Sequence, residues 1–526
     1  MLLNILLILV LVGLLVVPVI LQYILNWDLA FISVYGIYML VYLIIEFIFA
    51  LINNKYGNRY TNIVSLNNLV GCNLMMVGYR EREDYYKMCL ESIKMIERSK
   101  LNKIYIIIDG NESEDEYMIE MVKHVFVNEY IHINLVDLSD ESIISIMGRI
   151  MNKRIILISK VHSGKRDCMY IGFKLSILEK NMYNNNLEVI FCTDSDTVLK
   201  EDIINEMIKN MKNEIVGGVV GNLSIHNKYD SSISFMSKVR YWFAFNLERA
   251  YQSFNGYVLC VSGPIGMYRL KSIELVIDRW RDQMFLGKKC TYGDDRHLSN
   301  LILSLKDKIL YTDKGYGETE TPDTIYKFYK QQVRWSKSSF REFFWSIPNI
   351  DKQNIFMSVD LIYTLMYPFI VMGYMMYLLW YGNLFQLGIY LIIVVIIGII
   401  KSLYCIVVSG IYENLFYVLY CINYVCIVFP ARLWGLLSIR DISWGTSQRK
   451  KGNLQDVSFD IVMLILWNVN LLCGLGYTLW RNKNANIIDW ILFGVPMVFL
   501  VLGLISMKIY VSFRKDVVNK KINKLE

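Results

Sequence analysis

The sequence predicts an α/β domain framed on both sides by membrane-spanning α-helices. Three observations carry this. Of the 526 residues, 54% are apolar, more than a soluble globular chain holds. Apolar runs long enough to cross a bilayer gather near the two ends. Between about 70 and 345, short apolar runs alternate instead with polar helical stretches.

The first two runs, 3–25 and 29–52, open the chain. The first lacks the basic start and the small-residue cleavage site of a signal peptide, so it is expected to remain as a span. Five more follow at 356–381, 385–409, 412–438, 459–480 and 487–512. Lys55 and Arg59 after the second run, and Arg514, Lys515, Lys520, Lys521 and Lys524 at the end, should share the inner side, so the number of crossings is even. The run 412–438, broken by Pro430 and Arg432, is the weakest and is expected to lie at the interface or re-enter. The expected division is two transmembrane helices in 1–55, the α/β domain in 70–345, two spans with an interfacial segment and a loop in 346–455, and two spans with a tail in 456–526. Arg481 and Lys483, on the outer side, stand against this count.

The apolar runs Asn73–Val77, Ile104–Ile108, Val189–Cys192 and Val216–Val220 read as strands of a buried sheet. The net charge of +7 is spread among acidic residues, which excludes a nucleic-acid stripe. Ten cysteines without a C-x-x-C pair, and five histidines without ligand spacing, point to reduced thiols rather than a zinc site.

The chemistry-bearing residues stand at element ends. Asp194-Ser-Asp196 closes an apolar strand, where two carboxylates suit a hard divalent ion holding a nucleotide diphosphate; the same triplet also reads as a turn or cap. Asp109-Gly110 ends another strand and could accept from a base or ribose, although Asp-Gly is equally a turn. At a third strand end, Tyr79 and Arg80 could stack on uracil and reach phosphate. Asp294 and Asp295 precede a helical pattern, which suits helix capping and a general base alike. Gln331, Arg334 and Trp335 combine a fixed cation with an indole for diphosphate and a pyranose ring, while a tryptophan here also reads as an interfacial anchor. Ser262 and Gly263 open a constrained loop, Ser262–Tyr268, which lets backbone approach a substrate. Lys165 in Gly164-Lys165-Arg166 lacks the Ser or Thr of a nucleotide-binding P-loop.

In order, Gly-Tyr-Arg-Glu, Ile-Asp-Gly, Asp-Ser-Asp-Thr, Ser-Gly-Pro-Ile-Gly, Tyr-Gly-Asp-Asp-Arg-His-Leu and Gln-Gln-Val-Arg-Trp-Ser-Lys resemble the series of processive family-2 glycosyltransferases. Through Val219–Met267, Phe285–Asn300, Gln331–Glu342 and Ser443–Lys450 the chain resembles class I hyaluronan synthases of the vertebrate type. That resemblance implies a cytosolic α/β GT-A glycosyltransferase domain plus an α-helical transmembrane region of about six spans and interfacial helices. It implies hyaluronan synthesis from UDP-GlcNAc and UDP-GlcA with Mg2+ or Mn2+, and export of the growing chain through the bilayer of the plasma membrane by a monomer.

By the family pattern Asp109, Tyr79 and Lys165 bind UDP, Asp194 meets the diphosphate region and Asp196 the metal. Asp295 is the base with Asp294 beside it, Arg334 faces diphosphate, and Cys290 and Trp335 line the acceptor site. Trp444, Gly445 and Thr446 belong to a gate over UDP, where Gln448 departs from the vertebrate glycine. Chitin or chitin-oligosaccharide synthesis is the alternative within the class. An inactive transferase-like transporter or scaffold is the alternative outside it.

Overall fold

The computed structural model of the chain describes residues 30–58, 60–61, 71–127, 129–136, 139–150, 152–183, 186–347, 354–441 and 460–522. The apolar run 3–25 and the loop Trp444, Gly445 and Thr446 lie outside the described residues. The first described helix, α1 (Ala30–Tyr56), leads towards the α/β domain.

The strands are β1 (Gly71–Gly78), β2 (Leu101–Ile108), β3 (Tyr130–Leu135), β4 (Ile155–Lys160), β5 (Leu187–Asp194), β6 (Val198–Leu199), β7 (Val216–Ile225), β8 (Gly266–Arg269) and β11 (Lys308–Thr319), with β9 (Met284–Phe285) and β10 (Lys288–Lys289) forming a separate hairpin. The large sheet runs β3-β4-β2-β1-β5-β8-β7-β11-β6. Its first five strands are parallel and β8 enters antiparallel between β5 and β7. The four expected strands are β1, β2, β5 and β7; their continuous apolar runs follow from burial on both faces. Register does the rest for the site. Gly78 pairs with Ile108, Val77 with Asp194 and Ile108 with Ser159, so the residues after these strands emerge on one edge.

Helices α2 (Lys165–Tyr183), α3 (Ser232–Phe243), α4 (Asp294–Ser304) and α5 (Ile325–Ser346) serve that edge or lead from it. Beyond them come α6 (Ile355–Trp380), α7 (Leu384–Ser409), α8 (Phe429–Leu437), α9 (Asp460–Arg481) and α10 (Ile487–Ile522). Six helical stretches among the described residues are long and apolar enough to cross a membrane: one within α1, then α6, α7, Tyr412–Leu437, α9 and most of α10.

The stretch Tyr412–Leu437 differs from the others. It passes through a 3-10 turn, a short helix and a π segment before Pro430 starts α8. Both its ends rest on the α/β domain. Glu413 takes Lys238 Nζ at 2.8 Å, and a Cβ at Gly435 would stand 2.8 Å from Ser336 Cβ. Arg481, expected on the outer side, donates to the carbonyls of Trp380 and Gly382 beyond α6, where a cation satisfies a helix C-terminus. Asp360 of α6 accepts from Tyr42 of α1, from Gln252 Nε2 at 2.9 Å and from Tyr257 at 3.3 Å, fastening the spans to the sheet domain.

Candidate active site

Asp109 follows β2 and is 2% exposed. Its Oδ1 accepts from Lys160 Nζ at 2.7 Å and the Ser163 N–H at 3.0 Å, and its Oδ2 from the Gly164 N–H at 2.9 Å. The carboxylate therefore holds the loop that leads into α2. Tyr79 stacks on His162 of the same loop, with ring centroids 4.2 Å apart. Arg80 adopts a left-handed φ of +47° and gives its guanidinium to Glu112, Glu114 and Asp115 at 2.7–3.0 Å. The loop after β1 is thereby clamped to the loop after β2.

Opening α2, Lys165 sends its ammonium to Asp194 Oδ1 at 2.5 Å, with Asp294 Oδ2 at 4.0 Å. One cation thus joins the two carboxylate pairs, which lie a hundred residues apart in sequence. Burial alone would lower this lysine; Asp194, Asp294 and Asp295 more than offset it and hold its pKa above the ordinary value. Gly263 lies against the pair. A Cβ there would stand 2.8 Å from Lys165 Nζ and 3.2 Å from both Asp194 carboxylate oxygens, so glycine lets the loop lie directly against the ion pair.

Asp196, half-buried, accepts from Thr197 at 3.2 Å and Thr319 at 3.1 Å. Burial, with Glu81 and Asp194 adding like charge, pushes its carboxyl up to about 8. Burial and Asp196 likewise push Glu320 up to about 8. Among the described residues no three His, Cys, Asp or Glu side chains form a protein cage for an ion. The donor set still fits a hard divalent cation, which often takes one carboxylate and completes its shell with phosphate and water. The mutual repulsion of the carboxyls at 81, 194, 196 and 320, which raises Asp196 and Glu320, is what such an ion would relieve.

Gly293 precedes α4 with φ +78°, and a Cβ there would meet Ser338 Cβ at 2.6 Å. This turn sets the two aspartates in the first turn of α4. Asp294 is 5% exposed, and its backbone carbonyl accepts from Trp280 Nε1 at 2.9 Å. Asp295 is more open: Oδ1 accepts from the Arg296 N–H at 2.8 Å and Oδ2 from the Cys260 thiol at 3.3 Å. Behind them Glu342 collects Gln283 at 2.7 Å, His297 at 3.0 Å and Asn300 at 3.0 Å, locking α4 onto α5.

On α5, Gln331 is buried with its Oε1 lacking a hydrogen-bond partner among the described residues. Arg334 and Trp335 are half-exposed. Trp335 faces Tyr241 at 6.3 Å, and Arg334 acts electrostatically on Tyr241 and Tyr292. Ser262 Oγ accepts from Arg249 at 2.7 Å, and that guanidinium lies 3.8 Å from the Phe245 ring in a π segment, Ala244–Arg249. Cys290 is only 2% exposed; burial raises its thiol, against the opposing effect of Arg341.

The structure thus brings together Lys165, Asp194, Asp294 and Ser262–Gly263, with Asp196 and Asp295 to either side. Arg80 turns instead to acidic residues. Glu81, the last residue of Gly-Tyr-Arg-Glu, also reaches this region, as do Arg249, Cys260, Thr319 and Glu320 without a motif to mark them.

The chitin synthase family matches residues 173–460. The chain is 35% identical over 425 residues to hyaluronan synthase 2 of Xenopus laevis, covering 78% of this chain and 75% of the relative. It is 35% identical over 420 residues to human hyaluronan synthase 3, covering 77% and 74%. Among solved structures, the mannosyltransferase PcManGT from Pyrobaculum calidifontis in complex with GDP-Man and Mn2+ superposes with a TM-score of 0.39 and 12% identity, covering 81% of this chain and 95% of that one. Identity of about a third over three quarters of each chain is enough to show common descent, and the chain belongs to the hyaluronan synthase family of glycosyltransferases.

Proposed function

We propose that this enzyme alternately transfers GlcNAc and GlcA from their UDP donors to a growing hyaluronan chain and passes that chain across the plasma membrane, working as a monomer with its sheet domain in the cytosol. The observation that supports this chemistry is Lys165 between Asp194 and Asp294, a cation suited to donor phosphate and adjoining the residue that precedes Asp295. Asp295 takes the proton of the acceptor hydroxyl. The new bond forms at the anomeric carbon from the face opposite the leaving group, the bond to UDP breaks, and its electron pair departs on the diphosphate, inverting configuration. Lys165 and Arg334 supply positive charge to that diphosphate, and Trp335 a flat face for a sugar ring. A divalent ion, Mg2+ or Mn2+, bound at Asp196 would neutralise the leaving diphosphate. The two ends of Tyr412–Leu437, both on the sheet domain, support the interfacial reading of that stretch.

The match to the chitin synthase family favours a second reading, a polymer of GlcNAc alone. Purified enzyme given each donor singly and then both separates the two. Polymer only with both donors, degraded by hyaluronidase, is the expected result; polymer from UDP-GlcNAc alone overturns it in favour of chitin.

Asp196 has a pH signature. The carboxyl keeps its proton up to about 8, so an ion must displace that proton to bind. UDP affinity measured calorimetrically in Mn2+ should fall as the pH drops below that value, by up to about tenfold per pH unit, and Asp196→Asn should remove the Mn2+ dependence. Affinity flat through this range in the parent protein, or Mn2+ dependence kept by the variant, refutes the assignment.

A further inference from the structure

Away from the candidate active site, a cavity of about 780 Å³ opens where the ends of α1 and α7 meet β7 and β11. Its walls include Trp242 and Asn246, one residue on from the site-facing Tyr241 and Phe245, and therefore about a quarter turn round the helix. One side is aliphatic and exposed, at the ends of two helices of membrane-crossing length: Leu51 is 43% exposed, Val407 82% and Ile411 41%. The aromatics Tyr56 and Tyr412, 68% and 83% exposed, mark the level where a bilayer gives way to water.

The other side is basic. Lys238 is neutralised by Glu413 at 2.8 Å, and Glu413 is further satisfied by Tyr229 and Tyr510, each at 2.6 Å. Lys55 and Lys228, which also line the cavity, have no carboxylate within ion-pairing distance among the described residues. The remaining acid of the lining, Asp313, is exposed to solvent. Both ammonium groups lie over a tyrosine ring, Lys55 over Tyr56 at 5.3 Å and Lys228 over Tyr229 at 5.6 Å, and two cations without a carboxylate partner beside an aliphatic wall match an amphiphile with an anionic head.

We infer that the cavity seats an anionic glycerophospholipid of the leaflet facing the sheet domain, its phosphate answered by Lys55 and Lys228 and its acyl chains lying along Leu51, Val407 and Ile411. Such a lipid bridges two spans and the sheet edge, and so sets how the catalytic domain sits on the membrane.

The test uses the full chain in nanodiscs of phosphatidylcholine with and without phosphatidylserine, followed by mass spectrometry of the lipid retained on extraction. The parent protein should retain phosphatidylserine selectively. Lys55→Gln/Lys228→Gln should lose that selectivity by about thirtyfold. Lys520→Gln/Lys521→Gln, which removes equal charge from the tail, should keep it. Absence of selectivity in the parent overturns the inference, as does an equal loss in the tail variant. A melting temperature in detergent raised as much by inorganic phosphate as by phosphatidylserine assigns the cavity to a soluble anion and also overturns it.

Discussion

Asp295→Asn should abolish polymer synthesis while UDP binding and melting temperature stay at parental values. A positioned base contributes about 10²–10⁴ in rate, and asparagine cannot take a proton from a sugar hydroxyl. The local structure tolerates the exchange. The asparagine oxygen still accepts from the Arg296 N–H, now 2.8 Å from Asp295 Oδ1, and what is lost is a 3.3 Å contact with the Cys260 thiol, a weak donor. The neighbouring carboxylate should respond differently. Asp294 faces Lys165 and is buried, so Asp294→Asn should shift donor affinity before turnover. Single-turnover release of UDP in the presence of acceptor separates the two variants. Synthesis by Asp295→Asn within about tenfold of the parent would remove the base from its role.

The parts of this molecule that could be read from sequence are those whose physics is local. Strands β1, β2, β5 and β7 announce themselves because both faces are buried, leaving unbroken apolar runs. By contrast, β3 lies at the sheet edge, with Tyr130, Ile131 and His132 half-exposed, and the helix at Asp140–Ile150 carries isoleucine at four of its eleven positions, a share between those of β3 and β4. Composition there does not separate the two periods. In Tyr412–Leu437 the irregular 3-10 and π segments precede Pro430, which starts a regular helix that runs through Arg432, while Pro368 and Pro496 lie inside unbroken helices, so proline by itself does not mark where a span departs from α-helix.

The site divides in the same way. Carboxylates at strand and helix ends carry a local signature. The antiparallel entry of β8 between β5 and β7, which brings the Ser262–Gly263 loop against Asp194, depends on distant pairing and has none. Arg80 is instructive: its sequence context points to a nucleotide, whereas three carboxylates at 112, 114 and 115 compete for it from across the strand edge. Thr319 and Glu320 reach Asp196 only because β11 ends beside it.

Lys165→Met should weaken both the fold and the donor site, and the two losses should separate in a double variant. The ammonium stands 2.5 Å from Asp194 Oδ1 and 4.0 Å from Asp294 Oδ2, and the Lys165 and Asp194 side chains are 23% and 29% exposed. Removing one partner of a fully buried pair costs about 3–5 kcal/mol; partial exposure screens this, so the melting curve should report about 2 kcal/mol. Methionine keeps the length and the packing, which confines the change to charge. Asp194 and Asp294 then repel across the gap with nothing between them, and an incoming diphosphate meets two carboxylates instead of a cation, so UDP affinity should fall by about 10²-fold. Adding Asp194→Asn relieves the repulsion, and the double variant should recover most of the stability without recovering UDP binding, because the cation is still missing. An unchanged melting temperature together with unchanged UDP affinity in Lys165→Met would mean that the lysine joins the two carboxylate pairs in space but not in energy.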